Sequence, residues 1–178
     1  MRETAEHLNN QAISLAAQGE FSDAIACFKR AITIESANYL LWFNLGVTYR
    51  DIGDLKKAKD ALRKAYQIND EDEETIETLA LVCYNLHQLD DALMYCAEGL
   101  DCNPENPHLW NTMGVIYFKR DSYENAAEAF EHAVSLNPYY YDALYNLRDT
   151  YEALGNKTGM AECTLRMREI ERQGGNLR

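Results

Sequence analysis

Apolar residues recur at helical spacing along most of the chain. In one segment, Trp42, Leu45 and Tyr49 are three and four positions apart, which places them on one side of an α-helix. Gly46 lies inside this segment, although glycine within a helix costs about 1 kcal/mol relative to alanine. The pattern therefore predicts an amphipathic helix in which glycine is needed for close packing.

This pattern is repeated every 34 residues. The segment that begins at Trp42 returns after twice that interval at Trp110, again with glycine at the fifth position. A large apolar residue holds the first position in all five copies, namely Leu8, Trp42, Ile76, Trp110 and Leu144. A small residue holds the fifth position in four copies, namely Ala12, Gly46, Ala80 and Gly114, whereas Arg148 takes it in the last. A second amphipathic segment follows in each copy, so the unit is a pair of helices.

Five copies of such a unit resemble the tetratricopeptide repeat, in which each 34-residue unit is a helix, a tight turn and a second helix. The resemblance covers roughly residues 4 to 172. It implies an all-α fold, a right-handed superhelical solenoid in which each repeat packs on its neighbours. We predict a single domain over residues 1–178, with repeats at approximately 5–38, 39–72, 73–106, 107–140 and 141–174. The turns within the repeats are predicted at Gly19, Gly53, His87, Asp121 and Gly155.

Charge and composition exclude several functions. The net charge of −12 argues against nucleic acid and against an anionic membrane surface, since both require a basic footprint. No apolar run approaches the roughly 20 residues that span a bilayer, and the first residues lack the apolar run of a signal peptide. We therefore expect a cytoplasmic protein. Its five cysteines lack metal-site spacing and are expected to be reduced, with Cys83, Cys96 and Cys102 as small buried apolar residues.

No motif for catalysis or for cofactor binding is present in the sequence. The four histidines are scattered without metal-ligand spacing, and there is no glycine-rich phosphate loop or pairing of a nucleophile with a base. The acidic run from Asn69 to Glu74 lacks the glycine of a calcium loop. The sequence therefore predicts a protein that is not an enzyme and binds neither metal nor cofactor.

The first helix of each repeat carries apolar and amide residues outside its packing stripe. Tetratricopeptide repeats commonly hold a partner in the concave groove that these helices line, so the resemblance implies a groove for a peptide or a helix of a partner. Exposed apolar rows often mark binding sites, and an asparagine amide can pair with any peptide unit. The predicted groove residues are Asn10, Ile13, Phe43, Asn44, Val47, Leu81, Tyr84, Val115, Phe118 and Asn146.

The sequence leaves two functions open. In the first, the chain is a non-catalytic interaction scaffold for a partner of apolar, neutral or basic character, the range that the net charge of −12 leaves open. Residues 73–106, which contain eight acidic residues and no Lys or Arg, would attract a basic partner. In the second, it is a self-assembling structural module whose groove receives another copy of the same chain. The oligomeric state in solution distinguishes these alternatives.

Overall fold

The computed structural model describes residues 3–175, and over that range it contains ten α-helices and no β-strand. The helices are α1 (Ala5–Ala17), α2 (Phe21–Ile34), α3 (Tyr39–Asp51), α4 (Leu55–Ile68), α5 (Glu73–Asn85), α6 (Leu89–Cys102), α7 (Pro107–Lys119), α8 (Tyr123–Leu136), α9 (Tyr141–Ala153) and α10 (Lys157–Gly175). The prediction of an all-α fold built from five helix pairs is confirmed. No helix in the described range is long and apolar enough to cross a membrane.

The chain forms two compact units that divide within α6, between Tyr95 and Cys96. In the first unit, α3 packs against α2 and α4 and also touches α1 and α5. Its most deeply buried side chains include Leu8, Phe28, Leu41, Leu62 and Ile76. In the second unit, α8 packs against α7 and α9, and α9 packs against α10. Phe130, Leu144, Leu147, Cys163 and Met167 lie in the core of this second unit.

Helix starts are set by short polar side chains that cap the backbone. The first helices α1, α3, α5 and α7 follow Thr4, Asn38, Asp72 and Asn106, and each of these side chains accepts a hydrogen bond from a backbone N–H of the first turn. A cap of this kind satisfies a donor that has no partner within the helix. The local sequence therefore defines where each of these helices begins.

The turn inside every repeat adopts the same left-handed conformation. The φ angles are 82° at Gly19 and 81° at Gly53, values that glycine adopts without steric cost. His87 and Asp121 take the same conformation with φ of 59° and 57°. In all five turns the following residue donates its N–H to a carbonyl five positions earlier, at 2.8–3.0 Å. The structure places a turn at each of the five predicted positions, and His87 and Asp121, which the sequence set apart from the three glycines, share their conformation.

The glycines at the centre of α3 and α7 allow close contact with the second helix of the same repeat. A Cβ atom on Gly46 would lie 2.6 Å from Leu62 Cγ and 3.2 Å from the Leu62 backbone nitrogen. At Gly114 a Cβ would lie 2.6 Å from Phe130 Cε1. All three distances are below ordinary van der Waals contact, so the predicted packing role of these glycines is confirmed.

The cysteines are all free, and four of the five are buried. Burial of Cys83 and Cys96 agrees with the prediction. The prediction for Cys102 is wrong, because this residue is exposed at the last position of α6. Cys102 shares its register with apolar residues of the other repeats, but it is the last residue of α6, and no further helical turn covers its side chain.

The thiols are expected to differ sharply in reactivity. Burial raises the pKa of the Cys83 and Cys163 thiols, which lowers the fraction of reactive thiolate in addition to blocking access. With Ellman's reagent at pH 8, we expect one fast thiol from Cys102 and four that react at least about a hundredfold more slowly, through opening of the fold. Cys102→Ser should remove the fast phase; a fast phase of two or more thiols would contradict the burial pattern.

Candidate partner-binding face

Exposed aliphatic side chains lie on the first helices of the N-terminal unit. Ile13 on α1 is 46% exposed and Leu81 on α5 is 41% exposed, at the same register of repeats one and three. Val47, at this register on α3, is half-buried, as is Tyr84 near the end of α5. We call Ile13, Val47, Leu81 and Tyr84 the N-terminal apolar face. The structure therefore leaves these four predicted residues at least partly accessible.

Phe43 does not belong to this face. The sequence pattern predicts Phe43 on the open side of α3, but its side chain is only 8% exposed. Helix α3 contacts α1, α2, α4 and α5, so little of its surface is left uncovered. By contrast, Tyr145, at the same register of α9 in the C-terminal unit, is 45% exposed. The prediction that Phe43 is exposed is therefore wrong, because neighbouring helices cover most of α3.

The predicted asparagines form bridges between neighbouring first helices. Asn44 Nδ2 donates to Asn9 Oδ1 at 3.0 Å, linking α3 to α1. In the C-terminal unit, Asn146 Nδ2 donates to Asn111 Oδ1 at the same distance, linking α9 to α7. Each bridge uses one of the two N–H donors that an amide offers. Asn10 is exposed.

The bridging partners Asn9 and Asn111 were missed by the sequence analysis. They are three periods apart, so the repeat pattern marked them as equivalent positions. The pattern does not show, however, that each of them packs beside an asparagine 35 residues later. Thr78, at the same register as Asn44, is 7% exposed. The polar residues at the register of Asn44 therefore partly serve to connect neighbouring helices or lie buried, and are not all available to a partner.

The first helices of the C-terminal unit present a more polar surface. Val115 and Phe118 are half-buried and pack against the core of this unit, and the Phe118 ring meets Tyr123 edge-on at 5.2 Å. Asp149 replaces the aliphatic residue of the other repeats and accepts hydrogen bonds from Arg148 at 2.7 and 3.0 Å. The hydrogen bond to Asp149 raises the pKa of Arg148.

Acidic residues lie on the same helices as the N-terminal apolar face. Glu6 on α1 and Glu74 on α5 are exposed, and Glu77 is half-buried. The cation on α3, Arg50, donates to the adjacent Asp51 at 2.9 Å, so its charge is largely compensated. The first helices of this unit therefore combine exposed aliphatic groups with a local excess of negative charge. Within residues 3–175, no group of three or more His, Cys, Asp and Glu side chains is arranged to hold a metal ion.

Comparisons with known proteins agree with the repeat pattern. Two family models described as tetratricopeptide repeat match residues 3–71 and residues 107–140, which together are more than half of the chain. The bovine BBSome complex member BBS4 is 28% identical over 140 residues, a match that covers 79% of this chain and 27% of that protein. This chain therefore spans about a quarter of the length of that relative.

Solved structures with the same fold are also known. A structure of MamA from Desulfovibrio magneticus RS-1 superimposes with a TM-score of 0.87 at 18% identity, covering 97% of this chain and 98% of that one. YrrB, described as a tetratricopeptide repeat protein with an unusual peptide-binding site, superimposes with a TM-score of 0.76 at 23% identity, covering 94% and 87%. At this level of sequence identity, the similarity to these structures shows a shared fold only.

Proposed function

The chain belongs to the tetratricopeptide repeat family, and we propose that it is an interaction scaffold without catalytic activity that holds a segment of a partner protein on its N-terminal apolar face. The observation that carries this proposal is the exposure of Ile13 and Leu81 at one register of α1 and α5. Two aliphatic side chains exposed at equivalent positions present a repeated apolar surface to an elongated partner.

Burial of these side chains supplies the driving force for binding. Complete burial of an aliphatic side chain is worth roughly 1.5–3 kcal/mol, and Ile13 and Leu81 are each a little less than half exposed. Covering them would therefore contribute roughly 1 kcal/mol each. Asn10 and the unbridged groups of Asn44 are proposed to bind the backbone of the partner. Val115, Phe118 and Asn146 are proposed as further contacts on the C-terminal unit.

The charge of the N-terminal unit supports a basic partner. Glu6 and Glu74 are exposed and precede Ile13 and Leu81 by about two helical turns, which places them on the same side of α1 and α5. The Arg50 charge is paired with Asp51. A segment that alternates aliphatic residues with Lys or Arg would match both features, and long-range attraction would increase its association rate at low salt. The bovine relative is named as a member of a complex and YrrB as a peptide-binding protein, and both descriptions support a role in protein binding.

The test is the double variant Ile13→Glu/Leu81→Glu, which places two charges where the partner should bury aliphatic groups. We expect the partner recovered by affinity purification and quantitative mass spectrometry to fall at least about tenfold, since burying a charge against an apolar surface is costly. The matched control is Ile34→Glu/Ile68→Glu, which changes residues 50% and 40% exposed at the ends of α2 and α4. If both variants retain the partner, the N-terminal apolar face is not the binding site.

The oligomeric state provides a second test. Light scattering at tens of micromolar should give the mass of a monomer. An oligomer that Ile13→Glu/Leu81→Glu converts into monomer would instead show that this face receives a second copy of the chain, which would contradict the proposed partner.

A further inference from the structure

A basic cleft with an aromatic floor lies among α2, α3 and α4 of the N-terminal unit. Its volume is about 270 Å³, and its floor includes Trp42 and Tyr49. Three lysines, Lys29, Lys57 and Lys64, line it together with one acidic residue, Asp60. Such a concentration of cations is unusual in a chain whose net charge is −12.

The lysine ammonium groups are held close to the aromatic floor. Lys57 Nζ lies 5.5 Å and Lys29 Nζ lies 6.0 Å from the centre of the Tyr49 ring, within the range of a cation–π interaction. Lys57 also pairs with Asp54 at 2.6 Å, whereas Lys64 Nζ donates to the neutral Gln67 Oε1 at 3.3 Å. Lys57 is therefore largely neutralised by Asp54, and Lys29 and Lys64 outweigh the single carboxylate of Asp60 in the lining of the cleft.

The repeated sequence provides an internal comparison for this cleft. In the C-terminal unit, Trp110 corresponds to Trp42, and both indole N–H groups donate to a backbone carbonyl six residues earlier, at 2.8 and 2.9 Å. However, His132 takes the register of Lys64 and stacks on Trp110 with ring centres 4.4 Å apart. Asn125 and Ala97 take the registers of Lys57 and Lys29. The basic character is therefore specific to the N-terminal unit.

We propose that this cleft binds an acidic segment of a partner protein, which places one leucine or aromatic side chain against Trp42 and Tyr49 and sets carboxylates against Lys29 and Lys64. The volume lies below the 300–1,000 Å³ typical of sites for drug-sized ligands, so it suits a single large side chain. Three lysines do not make a basic footprint for an anionic membrane, because the acidic remainder of the chain would be repelled by it.

The cleft is separate from the face proposed above. Trp42 and Leu45 lie two residues from Asn44 and Val47 on α3, and two residues correspond to a rotation of about 200° around a helix. The acidic segment and the basic segment would therefore bind to opposite sides of α3. The two proposals are independent of one another.

The probe is an acidic heptapeptide, acetylated and amidated at its ends, of sequence EDELEDE. In a proton–nitrogen spectrum of the ¹⁵N-labelled chain, we expect the indole signal of Trp42 to shift on titration while that of Trp110 stays in place. The dissociation constant, from the anisotropy of a fluorescently labelled copy, should rise about tenfold for Lys64→Glu, which removes one exposed attraction and adds a repulsion. Lys64→His introduces the residue that stands at the equivalent position, His132, beside Trp110, and it should weaken binding as well.

The matched control is Lys56→Glu, which makes the same charge change on α4 at an exposed residue outside the cleft. This variant should bind the peptide within about twofold of the parent, and so should Ile13→Glu/Leu81→Glu. Equal weakening by Lys56→Glu, or a shift of both indole signals or of neither, would overturn the proposal. Binding of vesicles containing phosphatidylglycerol that depends on Lys64 would overturn it in favour of a membrane surface.

Discussion

Replacing Phe130 with alanine is expected to lower the free energy of unfolding of the C-terminal unit by about 3–5 kcal/mol. The Phe130 side chain is 1% exposed and belongs to the core cluster formed by α8, α9 and α10. Removing the ring would leave a cavity that the surrounding helices fill only in part. Urea denaturation, followed by circular dichroism and by the fluorescence of Trp110, measures this change.

The same cavity makes a specific prediction for Gly114. In the parent chain, Gly114→Ala should destabilise by about 1–3 kcal/mol, because the new Cβ would lie 2.6 Å from the Phe130 ring. In the Phe130→Ala background this contact is gone, and alanine gains up to about 1 kcal/mol of helix propensity over glycine. There, Gly114→Ala should be neutral or stabilising.

The pair forms a double-mutant cycle in which the two substitutions are coupled. Gly53→Ala serves as the control, since a Cβ there meets nothing within 4 Å and any cost comes from its φ of 81°. That cost should be the same with and without Phe130. Equal costs for Gly114→Ala in both backgrounds would show that the ring is not what requires glycine.

Asp72→Ala is expected to destabilise the N-terminal unit by about 2–4 kcal/mol. Asp72 Oδ2 accepts from the Thr75 backbone N–H at 2.9 Å and from Thr75 Oγ1 at 2.7 Å, and Thr75 is fully buried. The substitution removes an N-cap, worth about 0.5–2 kcal/mol. It also leaves a buried hydroxyl without its acceptor, which costs about 1–3 kcal/mol. Urea denaturation monitored by Trp42 fluorescence measures the sum.

Two further variants separate these contributions. Asp72→Asn keeps an oxygen acceptor at the cap and should cost less than half as much as Asp72→Ala. Thr75→Val, introduced together with Asp72→Ala, removes the hydroxyl and should recover part of the loss. If Asp72→Ala cost no more than an ordinary exposed substitution, within about 0.5 kcal/mol, the cap would contribute little to α5.

Much of the fold could be predicted from sequence because its determinants are local. The period alone predicted the positions of the turns at Gly53 and His87, and the structure shows that both adopt one conformation although only one contains glycine. Helix starts also have local determinants, since the structure shows capping residues such as Asp72 and Asn106, although these caps were not identified from the sequence. The role of Gly46 was predictable because glycine destabilises the interior of a helix, so its presence there indicates a close packing contact.

The candidate face was less predictable, because exposure depends on neighbours distant in sequence. Phe43 and Tyr145 share a register, but the former is 8% and the latter 45% exposed. The basic cleft was not anticipated, since its lysines are on α2 and α4 while its aromatic floor comes from α3. Lys64 and His132 also share a register, and only the structure shows that His132 stacks on a tryptophan.

By itself, the sequence of this protein determined the helix pairs, their order and the positions of the turns within them, because the hydrophobic period and the turn residues act within a few positions of the chain. The tertiary structure decided which side chains outside the packing stripe are accessible, and it revealed the amide bridges from Asn44 to Asn9 and from Asn146 to Asn111. These features depend on contacts between residues about one repeat apart, and burial there is set by how many helices surround each position.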